Sequence, residues 1–396
     1  MPDLVAEMLG LFVYGPLVVL LHELGHAGLA RAGGYRLTSF GIGLGKPLWR
    51  TRLKGGVVLH VDRWVFAGGA CVAIPIGPPT ARRAWFHAGG LLAQLVLGLV
   101  LLLLPDQWFW IRVAQFNLLV ALTNAIPWRF AGFASDGWHL VDALSNGSRS
   151  GSEVLPQRRY LARLAAREHA AGSPLGALYA ELCIAWIDLI AGRPEATAVL
   201  FRSDPDESAL DPWVDMLYHY VHAEWHRLEG RPLAALRIAR VTRYALEGDV
   251  APEGDALMAL AEARALVDLD ACAQAQRVLA RLAGIGGPIG RQGAATHLAA
   301  SLADDTDAVE YATWRVTRSV EASWLDPADT VCILWEVADR LVVSHRVRAA
   351  RGARDAARHL ARRTLAVAAP EDRPPLLRRL GEPAAISRRQ ERSDQS

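Results

Sequence analysis

The sequence predicts a mainly α-helical protein in two parts. The first is a polytopic membrane core of about three transmembrane helices with a short β-rich, membrane-associated loop; the second is a soluble α-solenoid. Three observations carry this reading. Hydrophobic residues make up 52% of the 396 residues and mean hydropathy is +0.15, on the apolar side for a soluble chain. The long apolar runs all fall in the first ~145 residues. From about Ser150 the texture changes to amphipathic segments rich in Ala, Leu and Arg. The length suggests about two or three domains.

The first run extends from Leu4 to Ala32, interrupted by Glu7, His22, Glu23, His26 and Arg31. A second, 84–105, has LLAQLVLGLVLLLL at its centre, and a third covers 108–127. About 20 apolar residues cross the ~30 Å hydrocarbon layer as a helix, so the three runs predict helices at about 4–32, 84–105 and 108–127. Pro105-Asp106 leaves room only for a tight turn, which makes the second and third a hairpin. The first run has no basic leading segment and carries ionisable residues, so it is not read as a removable signal.

Charge sets the orientation. The N-terminal tail has Asp3 and Glu7 but no Lys or Arg, whereas the segment after the first helix carries Arg31, Arg36, Lys46, Arg50, Arg52, Lys54, Arg63, Arg82 and Arg83. The positive-inside rule then predicts a multi-pass cell-membrane protein with its N-terminus outside and everything after Pro127 in the cytoplasm. The glycine-rich stretch 33–80 reads as short strands or a hairpin lying against the membrane.

Beyond residue 150 a repeat appears. Segments Asp188–Leu200, Arg227–Ala239 and Ala265–Leu279 align at a spacing of 38, with Gly192, Gly230 and Asp268 in corresponding turns and small residues Ala196, Ala234 and Cys272 after them. Helix–turn–helix units of this period predict a tetratricopeptide-like solenoid over 150–380, with a weaker fourth unit at 308–320 and a disordered tail, 381–396.

Several function classes drop out. Forty-three Lys+Arg against 41 Asp+Glu argue against nucleic-acid binding driven by bulk charge. Four scattered cysteines without CxxC suggest neither a disulfide framework nor a thiolate zinc site. No P-loop, GxGxxG or GxSxG is present. The Arg-rich stretch 346–363 reads as a solvated helix face.

The chemistry lies in the first apolar run. His22-Glu23-Leu24-Gly25-His26 is an HExxH motif; on a helix, residues i and i+4 share a face, so both imidazoles can reach one ion. Zinc with two His ligands needs a third protein ligand and a water, and Glu23 stands beside that water as its base. Ionisable groups inside a membrane helix are costly unless they face a wet, functional interior.

The end of the third run reads Asn124-Ala125-Ile126-Pro127, then an eight-residue stretch, then Asp136-Gly137. Together with HELGH this resembles the site-2 protease family of membrane-embedded zinc metalloproteases, over roughly residues 1–145. The resemblance implies His22, His26 and Asp136 as zinc ligands, Glu23 as general base, and Asn124 orienting substrate or stabilising the oxyanion. It also sets Gln94 near an Asn of the family's second core helix and likens GYRLTSFGIGLGKPLW to its membrane-associated β segment. The stretch Trp128–Ser135 is about four residues longer than the family's spacing, which leaves His139 and Asp142 as competitors for the third ligand. The implied function is an intramembrane endopeptidase acting on a membrane protein or peptide in the lipid bilayer, with the repeat domain recruiting substrate or a regulatory protein. The alternative is a catalytically silent membrane scaffold whose repeats bind a partner.

Overall fold

The structure, a computed structural model, describes residues 2–43, 46–53, 57–65, 68–75, 82–104, 108–130, 133–146, 155–202, 212–245, 252–282, 287–303, 306–320 and 324–380. It is mostly helical, with sixteen helices among the described residues and a small sheet. The turn 105–107 and the tail 381–396, expected to be disordered, lie outside the described residues. Contacts divide the chain into two compact units: Met1–Gly147 with Ala162–Ala180, and Ser148–Leu161 with Glu181–Ser396.

The first unit begins with α1 (Pro2–Leu29). Gly34, at φ +77°, takes the left-handed turn that lets Tyr35 N–H donate to Ala30 O at 2.9 Å and ends the helix. The glycine-rich stretch then forms four strands: β1 (Tyr35–Ile42), β2 (Pro47–Arg52), β3 (Val58–Asp62) and β4 (Gly69–Pro75). Their order is β2-β3-β1-β4, with β1 and β3 parallel and the other pairs antiparallel. Gly41 is required by the β1–β3 approach, because a Cβ there would run into His60 O.

Helix α2 (Arg83–Leu102) follows. It is inverted relative to a water-facing helix: its buried side carries Gly89, Gly90, Gln94 and Gly98, while Leu92, Leu95, Val96, Leu99 and Val100 point outward. Gly25 of α1 meets Gly89 of α2 backbone to backbone, since a Cβ on either would strike the other's carbonyl oxygen. Helix α3 (Trp108–Ala125) packs on α2, and Asn117 Nδ2 donates to Gln94 O at 2.6 Å. Among the described residues, Arg83–Leu102 is the one helix long and apolar enough to cross a membrane.

Between Pro127 and Asp136, β5 (Arg129–Phe130) pairs antiparallel with β6 (Phe133–Ala134). Ser135 closes this stretch: its hydroxyl donates to Ile126 O at 2.7 Å and accepts from Trp128 N at 3.1 Å. It then caps α4 (Asp136–Asn146) by accepting from Trp138 N at 3.1 Å. Helices α5 (Arg158–Ala171) and α6 (Pro174–Ile190) follow, and their residues 162–180 group with this first unit.

The second unit continues through α7 (Pro194–Thr197), α8 (Pro212–Leu228), α9 (Pro232–Ala245), α10 (Pro252–Asp268), α11 (Cys272–Ala280), α12 (Gly287–Ala300), α13 (Thr306–Thr317), α14 (Pro327–Val343), α15 (Val347–Val367) and α16 (Arg373–Leu380). Helix pairs α6/α7, α8/α9, α10/α11 and α14/α15 share one turn, with positive φ at Gly192, Gly230, Asp270 and His345. In each, the next N–H reaches back five residues, as Arg193 N to Asp188 O at 2.8 Å and Ala271 N to Leu266 O at 2.9 Å. The turn residue of the third pair is therefore Asp270; Asp268, aligned with it by spacing, is the last residue of α10. The segment 308–320 holds α13 and a following turn. Proline opens α6, α7, α8, α9, α10 and α14, where the first helical turn needs no N–H.

The core of this unit holds a buried ion network. Arg264 contacts Glu224 at 3.0 Å, Asp326 at 3.1 Å and Asp329 at 3.0 Å. Arg227 and Arg379 complete it against Glu224 and Asp326. Burial alone would raise the Asp329 carboxyl, but the charges of Arg264, Arg227 and Arg379 hold it well below the usual carboxylate range.

Candidate metal centre

His22 and His26 lie one turn apart on α1, both buried, with ring centroids 4.6 Å apart. The N-terminus of α4 brings Asp136 to them: His22 Nε2 is 2.9 Å from Oδ2 and His26 Nε2 is 3.4 Å from Oδ1. The two Nε2 atoms are 3.1 Å apart. Among the described residues, this trio forms a cluster of ligand atoms within 4.8 Å of one another that could hold a metal ion.

The remaining ring nitrogens are tied back. His26 Nδ1 donates to Phe86 O at 2.7 Å, and His22 Nδ1 donates to Gln94 Oε1 at 3.0 Å. In a neutral imidazole only one nitrogen carries hydrogen, so these bonds turn both Nε2 lone pairs toward Asp136. Two lone pairs and a carboxylate facing one another call for a cation among them. Two imidazoles and a carboxylate suit zinc, whose catalytic sites keep a fourth position for water.

Neighbouring glycines shape the site. A Cβ on Gly90 would stand 2.6 Å from both His22 Nδ1 and His26 Nε2. Glu23, also buried, packs on β4, where a Cβ on Gly69 would stand 2.7 Å from its Cγ. Gly137 lets α4 abut the end of α3, because a Cβ there would strike Ala125 O. Ser135, Gly90 and Gly69 were not singled out from the sequence; a Ser immediately before Asp136-Gly137 is the readable cap signal.

Asn124 sits half-buried on the last turn of α3, with its backbone oxygen 3.1 Å from the direction a Gly137 Cβ would take. Its side chain makes no hydrogen bond among the described residues. His139 stacks on His87, centroids 4.9 Å apart. The side chain of Asp142 lies outside the described residues.

Comparison with known families bears on this centre. Residues 11–110 match the model of peptidase family M50. The resemblance of the N-terminal region to the site-2 protease family is thereby shown, and it supports a site-2 protease-like membrane metalloprotease at family level. Proteases of this family are generally zinc-dependent. The M50 match takes in His22, Glu23 and His26 and ends before Asn124 and Asp136. No curated protein matches the chain.

Proposed function

We propose that the chain is an intramembrane zinc metalloendopeptidase of the site-2 protease type, cleaving a membrane-spanning or membrane-associated protein. The observation that carries this is the convergence of His22, His26 and Asp136, with both Nδ1 atoms bonded away from the centre. These three residues would hold the ion. Bound zinc would supply Lewis acidity, lowering the pKa of a water toward ~7 and polarising the scissile carbonyl. Glu23 is the general base: its carboxylate takes a proton from the attacking water and returns it to the leaving amine. Gln94 and the Phe86 carbonyl fix the imidazole tautomers. Asn124 orients the substrate carbonyl through its amide.

The membrane setting is supported by the inverted helices. Gln94 and Asn117 are 0% exposed while Val96 and Leu119 are each 59% exposed, the reverse of a helix bundle in water. In this reading α1, α2 and α3 are three spans, the N-terminus is outside and the C-terminal helices are cytoplasmic. Those helices form a tetratricopeptide-like repeat domain that recruits substrate or a regulator.

The decisive experiment is membrane-peptide proteomics of cells carrying Glu23→Gln against wild type, with zinc measured in both purified proteins. The amide keeps the shape but cannot accept the proton, so zinc is retained and the cleavage products vanish. Undiminished products in the variant would remove Glu23 as the base.

A further inference from the structure

Beyond the M50 match, the structure holds a buried carboxylate for which the proposed chemistry has no use. Glu168 of α5 is 0% exposed. Ser39 Oγ donates to its Oε1 at 2.7 Å. Thr38 shares its hydroxyl proton between Glu168 Oε2 at 3.2 Å and Val72 O at 3.1 Å. Thr38 is the extra residue of a bulge, since Leu37 pairs with Ala73 and Ser39 with Val72. The carboxylate thus bonds the one irregular point of the β1–β4 ladder. Four residues along the same ladder, Ile42 pairs with Gly69, the residue packed against Glu23.

The neighbouring residues of α5 are fastened to the same sheet. Arg50 donates to Ala170 O at 2.7 Å and Arg52 to Gly172 O at 2.6 Å, capping the C-terminal carbonyls of α5. Arg167 donates to His60 Nε2 at 3.3 Å and lies 3.8 Å from Asp62. Gly176 of α6 leaves the room Glu168 occupies; a Cβ there would strike the carboxylate.

We propose that Glu168 is a positioning residue of the peptidase: by bonding the Thr38–Ser39 bulge it holds β4 in the register that sets Gly69 against Glu23. Residues 162–180 are then a working part of the catalytic unit. The proposal deepens the peptidase reading and rests on it for its catalytic consequence, while the mechanical step is tested separately.

The test is hydrogen exchange on the full-length protein in detergent, with zinc content and digestion of fluorescein-labelled casein as a general probe of peptidase activity. In Glu168→Ala, amides of β4 (69–75) should exchange about tenfold faster or more, the loss of one or two hydrogen bonds to a charged group. Amides of α1 and α2 should be unchanged and zinc retained, and kcat should fall with KM little altered. Glu168→Gln, which still accepts from Ser39, should restore most of the protection. Should Glu168→Ala not fold, Ser39→Ala removes a single bond and should give a smaller shift in the same amides. Faster exchange confined to 162–180, with β4 as in wild type, would overturn the proposal. Loosened β4 in a protein that binds no zinc even as wild type would leave the latch standing and sink the peptidase reading instead.

Discussion

Gly90→Ala puts a methyl group where the two imidazoles meet. It would stand 2.6 Å from His22 Nδ1 and from His26 Nε2, against ordinary contact from 3.4 Å, so the rings must give way by about 1 Å. They cannot do so freely, because His22 is bonded to Gln94 and His26 to Phe86 O. Loss of orientation of this kind lowers metal affinity by about 10–100-fold, or about 1.4–2.7 kcal/mol. The matched control is Gly28→Ala on α1, where nothing lies within 4 Å of the added methyl. Both changes favour the helix by up to ~1 kcal/mol, so neither is expected to lose helicity. Zinc affinity, measured by competition with a chromophoric chelator in detergent, should fall in Gly90→Ala and stay at the wild-type value in Gly28→Ala. Gly90→Ala affinity within twofold of wild type would mean that the imidazoles do not converge beside α2, and the reasoning fails.

Three further outcomes are expected. Asp136→Ala should lose zinc together with activity, whereas Asn124→Ala should keep zinc and lose activity alone; zinc loss in His139→Ala with retention in Asp136→Ala would reassign the third ligand. Arg264→Ala removes the buried cation that Glu224, Asp326 and Asp329 share in the second unit, leaves the three carboxylates to Arg227 and Arg379, and should cost about 3–5 kcal/mol in urea unfolding, with zinc content unchanged. The Asp329 carboxyl is depressed in the folded protein, so its stabilisation is present above the unfolded pKa of about 4 and is lost as pH falls below it; urea midpoints should therefore drop between pH 6 and pH 3, and drop less in Asp329→Asn.

What could be read from the sequence followed the range of the interactions. His22 and His26 were readable as neighbours because helical spacing alone puts them on one face. The glycine-rich stretch was readable as strands, but its order was not: β1 pairs with β3 in parallel and skips β2, which brings Gly41 against His60 across the sheet. The eight residues before Asp136 looked like a misfit to the spacing. Within them β5 pairs with β6 and Ser135 bonds Ile126 and Trp128, a short-range solution visible only once these partners are seen. The 38-residue period aligned three turns yet missed the third by two positions, because α10 runs on to Asp268 and Asp270 tolerates the left-handed conformation. The grouping of 162–180 with the N-terminal unit depends on pairs such as Ser39 and Glu168, too distant in sequence for any local pattern to announce.

The contact of Gly25 with Gly89 has a consequence for hydration. Peptide hydrolysis consumes one water molecule per bond, and a bilayer offers none. Where two helices touch through their backbones there is no channel between them, so this side of HELGH is a dry seam. In a peptidase of the proposed kind, supply must come from another wall. Glu23 turns its other side to β4, whose strand belongs to a sheet bearing Thr38, Ser39, His60 and Asp62.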